Sequence, residues 1–266
     1  MPRPAGWGKA MTDIRLRAIP AFDDNYIWLM SLGRQAVVVD PGDAAPVLAA
    51  LEGGGLKLRA VLLTHHHADH VGGVAALLAD QPVPVYGPAL EGIPTVTRPL
   101  ADGDRLAPFD GHAGFEVLAL PGHTRGHIAY YDGARLFCGD TLFPCGCGRV
   151  FEGTMAQMHA SLARLAALPP ATQVYCAHEY SLANARFALA VEPDNRALQA
   201  RQRWMAARRE AGLPTVPSLL RDELDTNPFL RCAAAPVRER VAAHGGRMPA
   251  DEAETFALLR EWKNVF

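Results

Sequence analysis

The sequence predicts an α/β protein in which two β-sheets lie between outer helices, an αββα sandwich, followed by an all-helical lobe. Two observations predict this fold class. Through the first part of the 266 residues, short apolar runs alternate with turn residues and a few helical stretches. After residue 177, helical periodicities separated by glycine and proline take over. We therefore predict a first domain over residues 12–176 and a helical domain over residues 177–266.

The strands are predicted from continuous or alternating apolar residues, at 14–19, 26–31, 36–39, 58–63, 83–86, 115–120, 128–131, 135–138 and 173–176. Asp40-Pro41-Gly42-Asp43 ends the third strand and caps a helix that runs to about Leu51. Asp132-Gly133 predicts a hairpin between two later strands. Helices are predicted at 71–78, 155–168, 181–191, 194–211, 216–223, 235–243 and 250–262.

The residues that carry chemistry are concentrated at positions 64–70, Thr-His-His-His-Ala-Asp-His, directly after a predicted strand. Crowded imidazoles repel one another when protonated, and a bound metal ion removes that cost. Extended side chains alternate, so His65 and His67 point one way and His66 the other. Asp69 and His70 follow where the chain turns. Two groups of ligands on one loop indicate two metal ions.

The alternative explanation for this segment is a histidine-rich surface loop or an expression tag. A tag lies at a terminus and lacks both the preceding strand and the interposed aspartate, so the metal site is favoured.

Three later residues, each just after a predicted strand, complete the ligand shells: His123, Asp140 and His178. Alone, each is more typical of a loop histidine or a turn aspartate, and their joint pattern decides. Ends of successive strands converge on one rim of a sheet. We assign His65, His67 and His123 to one metal ion. The second ion receives Asp69, His70 and His178, and Asp140 bridges both. His127 competes with His123 as a ligand, and we expect His127 and His66 to support the ligands.

Longer motifs make the chain resemble a known family. The segment 65–70 resembles the His-x-His-x-Asp-His signature of the metallo-β-lactamase superfamily, and within it the chain resembles the glyoxalase II family, the hydroxyacylglutathione hydrolases. The motifs that carry the second resemblance are Phe22–Tyr26, Cys138–Phe143, Gly146–Arg149, Glu152–Thr154, His178–Tyr180, Asn227–Arg231 and Arg260–Lys263.

This resemblance implies a small-molecule substrate, S-D-lactoylglutathione, with D-lactate and glutathione as products. It also implies that five residues contact the substrate: Arg149, Phe151, Tyr180, Arg260 and Lys263. Two positions depart from the family. Phe151 stands where a tyrosine is usual, so a hydroxyl contact is lost, and Asn264 stands where an aspartate commonly follows the lysine.

The expected cofactors are two divalent metal ions, with zinc favoured and iron or manganese also suited to His/Asp ligands. A hydroxide held between the metals would attack the thioester carbonyl. We predict catalytic roles for Asp140, which positions both metals, and for Asp69, which is a ligand and orients the hydroxide. No Gly-x-Ser-x-Gly motif occurs, so no covalent acyl-enzyme is expected.

Three other functions share parts of the pattern. A glutathione persulfide dioxygenase of the same superfamily uses one iron ion and normally lacks a helical lobe with Arg260 and Lys263. Another hydrolase, such as a lactonase, β-lactamase or nuclease, would keep the metal loop. A non-catalytic metal or glutathione binder would leave the open metal positions idle, against the complete ligand set.

Composition indicates which classes of binding partner are disfavoured and which cellular compartment is expected. With 26 Lys and Arg against 28 Asp and Glu, the net charge of −2 indicates neither a nucleic-acid partner nor an anionic membrane. Apolar runs stay well below the roughly 20 residues of a membrane span. The N-terminal residues contain prolines where a secretory signal needs an apolar helix, so we expect a cytoplasmic protein. We also expect the protein to be a monomer. Met11 is an alternative start. Five cysteines without framework spacing predict reduced thiols.

Overall fold

The computed structural model of the chain describes residues 14–110 and 114–266. They divide into two compact units. Unit 1 consists of the described residues up to Ala119 together with Gly126–Gly139, and unit 2 consists of Leu120–Arg125 and Asp140–Phe266. The predicted domain boundary between residues 176 and 177 stays a prediction. The alternative start at Met11 lies outside the described residues.

The first sheet belongs to unit 1 and has six strands in chain order: β1 (Arg15–Ala21), β2 (Asn25–Leu32), β3 (Gln35–Val39), β4 (Lys57–Leu62), β5 (Val85–Pro88) and β6 (Arg98–Leu100). The pairs β1–β2 and β2–β3 are antiparallel, whereas β3, β4, β5 and β6 run parallel. The carboxyl ends of β3, β4 and β5 therefore share one edge of the sheet. The loop 64–70 starts at this edge, where α/β proteins place their ligands.

Helices α1 (Ala44–Gly54) and α3 (Val74–Asp80) pack on one face of this sheet. Val47 and Leu77 of the two helices share a buried apolar cluster with Ile27 and Val38 of the sheet. Asp43 caps α1 by accepting a hydrogen bond of 2.9 Å from the Ala45 amide, as predicted.

The single helix predicted at 71–78 is wrong, because the segment forms α2 (Ala68–Val71) and α3 with a break at Gly72-Gly73. The Gly73 amide donates a hydrogen bond of 3.0 Å to the Pro41 carbonyl, and a Cβ on Gly73 would collide with the backbone of residues 41–44. Close packing against this turn, which sequence periodicity does not encode, interrupts the helix.

A second, antiparallel set of strands in unit 1 consists of β7 (Arg105–Leu106), β8 (Phe115–Ala119), β9 (Ile128–Tyr131) and β10 (Arg135–Gly139), neighbours in that order. The predicted hairpin joins β9 to β10, and Asp132 closes it by accepting from the Arg135 amide at 2.7 Å. Fully buried Tyr130 of β9 donates its hydroxyl to the Leu63 carbonyl at 2.7 Å, so β9 lies against the end of β4.

Unit 2 is mainly helical, with two small strand pairs. The strands are β11 (Leu142–Phe143) with β12 (Gly146–Cys147), and β13 (Gln173–Cys176) with β14 (Ser218–Leu219). The helices are α4 (Met155–Ala166), α5 (Ser181–Val191), α6 (Arg196–Glu210), α7 (Leu220–Thr226), α8 (Ala235–Gly245) and α9 (Glu252–Val265), with a 3₁₀ turn at Pro228–Leu230. Phe187, Phe229 and Phe256 meet in the interior, with ring centroids 5.9 and 5.8 Å apart.

The helix predicted at 216–223 is wrong at its start. Ser218 and Leu219 pair with Val174 and Gln173 of β13, and the helix begins at Leu220. Pairing with a neighbouring strand overrides the local helical pattern here.

All five cysteines are buried free thiols, so the prediction of reduced thiols is confirmed. No helix in the described part of the chain has both the length and the apolar character of a membrane span.

Candidate metal centre

The histidines of the loop 64–70 separate into two directions. The Nε2 atom of His65 lies 3.0 Å from Nδ1 of His67. His66 turns the other way, where its Nδ1 atom lies 2.7 Å from the Glu91 carboxylate. Glu91 also accepts hydrogen bonds from the amides of His66 and Gly126, at 2.6 and 3.0 Å. The Glu91 carboxylate thus holds the middle of the loop 64–70 in place.

Asp69 and His70 lie on the short helix α2. The Nε2 atom of buried His70 is 3.4 Å from Oδ2 of Asp69. The same carboxylate oxygen accepts a hydrogen bond of 2.9 Å from the Asn25 amide, at the start of β2. Sequence motifs singled out Asn25 without giving it a role, and the contact assigns it to holding Asp69.

Asp40 also contacts this group, through Thr64 and His70, and the sequence did not indicate this supporting role. It follows β3 in the left-handed region, with φ 52°, and is buried. One carboxylate oxygen accepts from the Thr64 amide at 2.8 Å and the other from the Thr64 hydroxyl at 2.7 Å. Asp40 Oδ2 also lies 3.1 Å from Nδ1 of His70. A carboxylate behind a ligating histidine is a common feature of metal sites. In the sequence, the only available signal was an aspartate directly after a predicted strand.

These contacts set the proton positions on His65. The Thr64 hydroxyl gives its hydrogen to Asp40, so it accepts from Nδ1 of His65 at 3.0 Å. In neutral His65, the lone pair is then on Nε2, the atom beside His67. His127, the predicted competitor of His123, is buried and stacks on the His65 ring, with centroids 4.9 Å apart.

The turn before α1 limits how the loop can sit. A Cβ on Gly42 would overlap the carbonyl oxygen of Asp69. The turn at residues 40–43 and the loop 64–70 therefore fit together only with glycine at position 42.

The second group of predicted ligands lies in unit 2. Asp140 Oδ2 is 3.4 Å from Nε2 of His123 and 3.3 Å from Nε2 of His178. All three residues are buried. The Nδ1 atom of His123 donates to the carbonyl oxygen of Arg149 at 2.8 Å.

Both groups have the donor chemistry of a divalent metal site. Since His123 donates through Nδ1, Nε2 of the neutral ring is an acceptor, yet it faces the acceptor oxygen of Asp140. Two facing acceptors repel unless a cation or a proton lies between them. Ligand atoms about 2.0–2.1 Å from a tetrahedral zinc ion are about 3.3 Å apart, close to the spacings seen here. Imidazoles and carboxylates suit zinc, iron and manganese.

Comparison with known proteins decides the family. A model of the metallo-beta-lactamase superfamily matches residues 21–178, and a model named hydroxyacylglutathione hydrolase C-terminus matches residues 179–266. The hydroxyacylglutathione hydrolase of Dechloromonas aromatica is 53% identical over 266 residues, covering 95% of this chain and 100% of that protein. The one from Alkalilimnicola ehrlichii is 55% identical over 249 residues, covering 93% and 97%.

This chain belongs to the hydroxyacylglutathione hydrolase family. The predicted family and fold class are thus confirmed, and so is the prediction of a metal-dependent thioester hydrolase at the level of the family. Among solved structures, the crystal structure of TTHA1623 in a di-iron-bound form is 32% identical, with a TM-score of 0.58, covering 81% of this chain and 100% of that one.

Two of the predicted substrate-binding residues of this hydroxyacylglutathione hydrolase family member lie beside the predicted ligand His123. The Phe151 ring meets the His123 ring edge-on at 5.4 Å between centroids, and it is 59% exposed. The Arg149 guanidinium lies over the Phe151 ring at 5.4 Å. An exposed aromatic ring and, over it, a cation therefore lie beside one predicted metal ligand of the hydrolase.

Tyr180 lies beside another predicted ligand, His178. Its ring stacks on His178 at 4.7 Å between centroids, nearly parallel, and Phe143 meets its edge at 5.2 Å. Tyr180 precedes α5, so the start of that helix fixes the tyrosine relative to His178.

The last two candidates lie on α9 and differ in exposure. Arg260 is only 5% exposed and donates to the Cys147 carbonyl at 2.9 Å. Lys263 lies over the Phe187 ring, with Nζ 5.3 Å from its centroid. Burial and then the neighbouring Arg260 charge lower the pKa of Lys263 below its usual value. In this hydrolase, Arg260 thus holds the Cys147 carbonyl in addition to its predicted role in substrate binding.

Proposed function

We propose that this chain hydrolyses the thioester of S-D-lactoylglutathione to D-lactate and glutathione at a centre of two divalent metal ions. The observation that carries the proposal is the placement of Asp140 Oδ2 at 3.4 and 3.3 Å from the Nε2 atoms of His123 and His178. A carboxylate facing two imidazole nitrogens is suited to bridging two cations.

We assign His65, His67 and His123 to one ion, Asp69, His70 and His178 to the other, and Asp140 to both. Support comes from the lone-pair positions. Thr64 fixes His65 with Nε2 as the acceptor, and the Arg149 carbonyl does the same for His123. Asp40, at 3.1 Å from Nδ1 of His70, leaves Nε2 of that ring for a cation.

When bound, two such ions lower the pKa of a shared water from 15.7 toward about 7 and polarise the thioester carbonyl. The side chains then have positioning tasks. Asn25 would orient the Asp69 carboxylate by holding Oδ2, the oxygen that lies toward His70, so that Asp69 presents one oxygen to the metal and can still accept a hydrogen bond from the nucleophile. The leaving thiol has a pKa of about 8.5, so it departs without a dedicated general acid.

Glutathione carries two carboxylates and one ammonium group, and the proposed contacts match this charge. Arg149 lies near ligand His123, and Arg260 and Lys263 lie on α9, with Arg260 bonded to Cys147 two residues before Arg149. Tyr180 and Phe151 offer ring surfaces beside the ligands. Phe151 lacks a hydroxyl, so binding at that position relies on ring contact alone.

Zinc is the proposed native metal because catalytic zinc sites commonly combine histidine and carboxylate ligands. Iron is the strongest competitor, as the solved structure of TTHA1623 is described as di-iron-bound. A cytoplasmic monomer remains part of the proposal.

The test is hydrolysis of S-D-lactoylglutathione by full-length protein of measured metal content, followed at the thioester absorbance. We expect turnover to rise with metal content up to two ions per chain. Asp23→Ala, which changes an exposed residue of the turn just before Asn25, is a control that retains full activity. Absence of hydrolysis at two ions per chain would refute the proposal, and oxygen uptake with glutathione persulfide would replace it with a dioxygenase.

A further inference from the structure

The hairpin of β11 and β12 connects two parts of the candidate site. It begins two residues after Asp140 and ends two residues before Arg149. The Arg149 carbonyl accepts the hydrogen bond from Nδ1 of His123. A shift of this hairpin would therefore move Asp140, Arg149 and the partner of His123 together.

The base of the hairpin is tightly closed. The Gly148 amide donates to the Thr141 carbonyl at 3.2 Å, and a Cβ on Gly148 would overlap the backbone oxygen of Asp140. The position of the hairpin is thus transmitted directly to the backbone of Asp140.

Two fully buried side chains of the helical region hold the tip of the hairpin. The Asn227 amide nitrogen donates to the carbonyl oxygens of Phe143 and Gly146, at 3.1 and 2.9 Å. The Cys145 amide donates to Glu223 Oε2 at 2.9 Å. Three backbone groups of a tight turn therefore depend on two side chains four residues apart.

The two holding residues are themselves connected. Asn227 Nδ2 lies 3.3 Å from Glu223 Oε2, and Arg201 of α6 forms an ion pair with Glu223. Arg201 also donates to the Asp222 carbonyl at 3.0 Å, so its guanidinium joins α6 to α7. The buried Glu223 carboxylate is thus held by several partners at once, and such a network fixes its position.

Backbone conformation gives a second, independent observation. Cys145 adopts φ 54°, in the left-handed region that favours glycine, although Gly146 follows directly. Strained backbone of this kind persists where surrounding contacts determine it, and it is concentrated at functional sites. The contact from the Cys145 amide to Glu223 is such a determinant.

We propose that Glu223 and Asn227, supported by Arg201, are positioning residues that fix the hairpin 142–147 and through it Asp140, Arg149 and His123. The inference rests on the proposed function for its kinetic consequence. It gives the Asn227–Arg231 motif a role that differs between its two ends. Asn227 serves the hairpin, whereas Arg231 forms a bidentate ion pair with Glu192, at 2.9 and 3.0 Å.

That division supplies a matched control. Asn227→Asp keeps the shape of the side chain and removes its donor, so an acceptor faces the carbonyls of Phe143 and Gly146. Arg231→Ala breaks a partly buried ion pair in the same segment, whose partner Glu192 lies outside the hairpin. Asn227→Ser, which keeps a shorter donor, is the milder variant if Asn227→Asp does not fold.

The first readout is hydrogen–deuterium exchange of the amides at 142–147 in the metal-loaded full chain. We expect exchange about tenfold faster in Asn227→Asp, an intermediate rate in Asn227→Ser, and the parental rate in Arg231→Ala, which only lowers the melting temperature. Metal content and kinetics follow. We expect Asn227→Asp to lose bound metal and about tenfold in kcat, because small displacements of catalytic groups are costly.

Parental exchange at 142–147 in folded Asn227 variants would overturn the inference, and so would equal hairpin loosening in Arg231→Ala. Loosening without any change in metal content, kcat or KM would show a structural role only and overturn it too. If the parent chain did not hydrolyse S-D-lactoylglutathione, exchange and metal content would still test the positioning role, which separates its failure from failure of the proposed function.

Discussion

The amide of Asn25 donates a hydrogen bond of 2.9 Å to the carboxylate of Asp69, across 44 residues of sequence. Asp69 is only partly buried, and its carboxylate also lies 3.4 Å from His70. Asn25, by contrast, is buried at the start of β2 and has a fixed position. Buried Asn25 therefore orients the more exposed carboxylate of Asp69.

Replacing Asn25 by alanine should lower kcat by about tenfold or more, with KM changed much less, because supporting residues of metal ligands typically contribute 10- to 100-fold. Steady-state kinetics on S-D-lactoylglutathione provide the measurement, with Asp23→Ala as the unaffected control. An unchanged kcat in Asn25→Ala would show that Asp69 needs no orienting partner.

Removing the proposed bridging carboxylate should have a different result. Asp140→Ala should drop bound metal well below two ions per chain, measured by elemental analysis after dialysis. Asp132→Ala also removes a buried carboxylate, one that pairs with Arg135 at 2.6 Å, and should retain the metal while lowering the melting temperature. Full metal retention in Asp140→Ala would contradict its bridging role.

Substitutions of Arg260 and Lys263 on α9 should differ in their effects on stability. Lys263→Ala should raise KM with little change in stability. Arg260→Ala should raise KM and also destabilise the fold by about 1–3 kcal/mol, because the buried Cys147 carbonyl loses its donor. Chemical denaturation and steady-state kinetics measure both effects. If KM stayed constant in the double variant, α9 would have no part in substrate recognition.

The lowered pKa of Lys263 predicts a pH dependence. The lysine holds its charge below this pKa and loses it as pH rises, so KM should increase on the alkaline side with a midpoint below the ordinary 10.5. Arginine stays charged throughout this range, so Lys263→Arg should flatten the profile. Rates corrected for spontaneous thioester hydrolysis give the comparison. A rise that persists unchanged in Lys263→Arg would assign it to another group.

The cysteines should be inert in the folded chain. All five are buried, and burial raises the pKa of Cys145 to about 12. A thiol reagent at pH 8 should therefore modify none of them in the native protein and all five after denaturation. Rapid reaction of a single thiol in native protein would contradict this burial.

The sequence predicted the long elements well because each carries its own local signal. The helix predicted at 181–191 matches α5, and Asp43 caps α1 as its residue type indicates. The short strands β6, β7, β11, β12 and β14 were not predicted, because two or three residues are too few to show a strand pattern of their own. For the same reason Ser218 and Leu219 were assigned to a helix.

The candidate ligands could be named from the sequence because histidine and aspartate follow strand ends. Their supporting residues could not. Asp40 reads as a turn residue beside Pro41 until its contacts with Thr64 are seen. Arg260 was predicted from a motif, but the motif gives no sign that the side chain is buried against Cys147. Such roles depend on three-dimensional contacts that local patterns do not record.

Gly42 carries no reactive group, yet a single methyl added there would strike the backbone of Asp69. In a saturation mutagenesis screen, position 42 would be as intolerant as the histidines themselves. A survey of this enzyme that ranked positions by their sensitivity would then group a bare turn residue with the reactive ones, and only the backbone geometry would tell them apart.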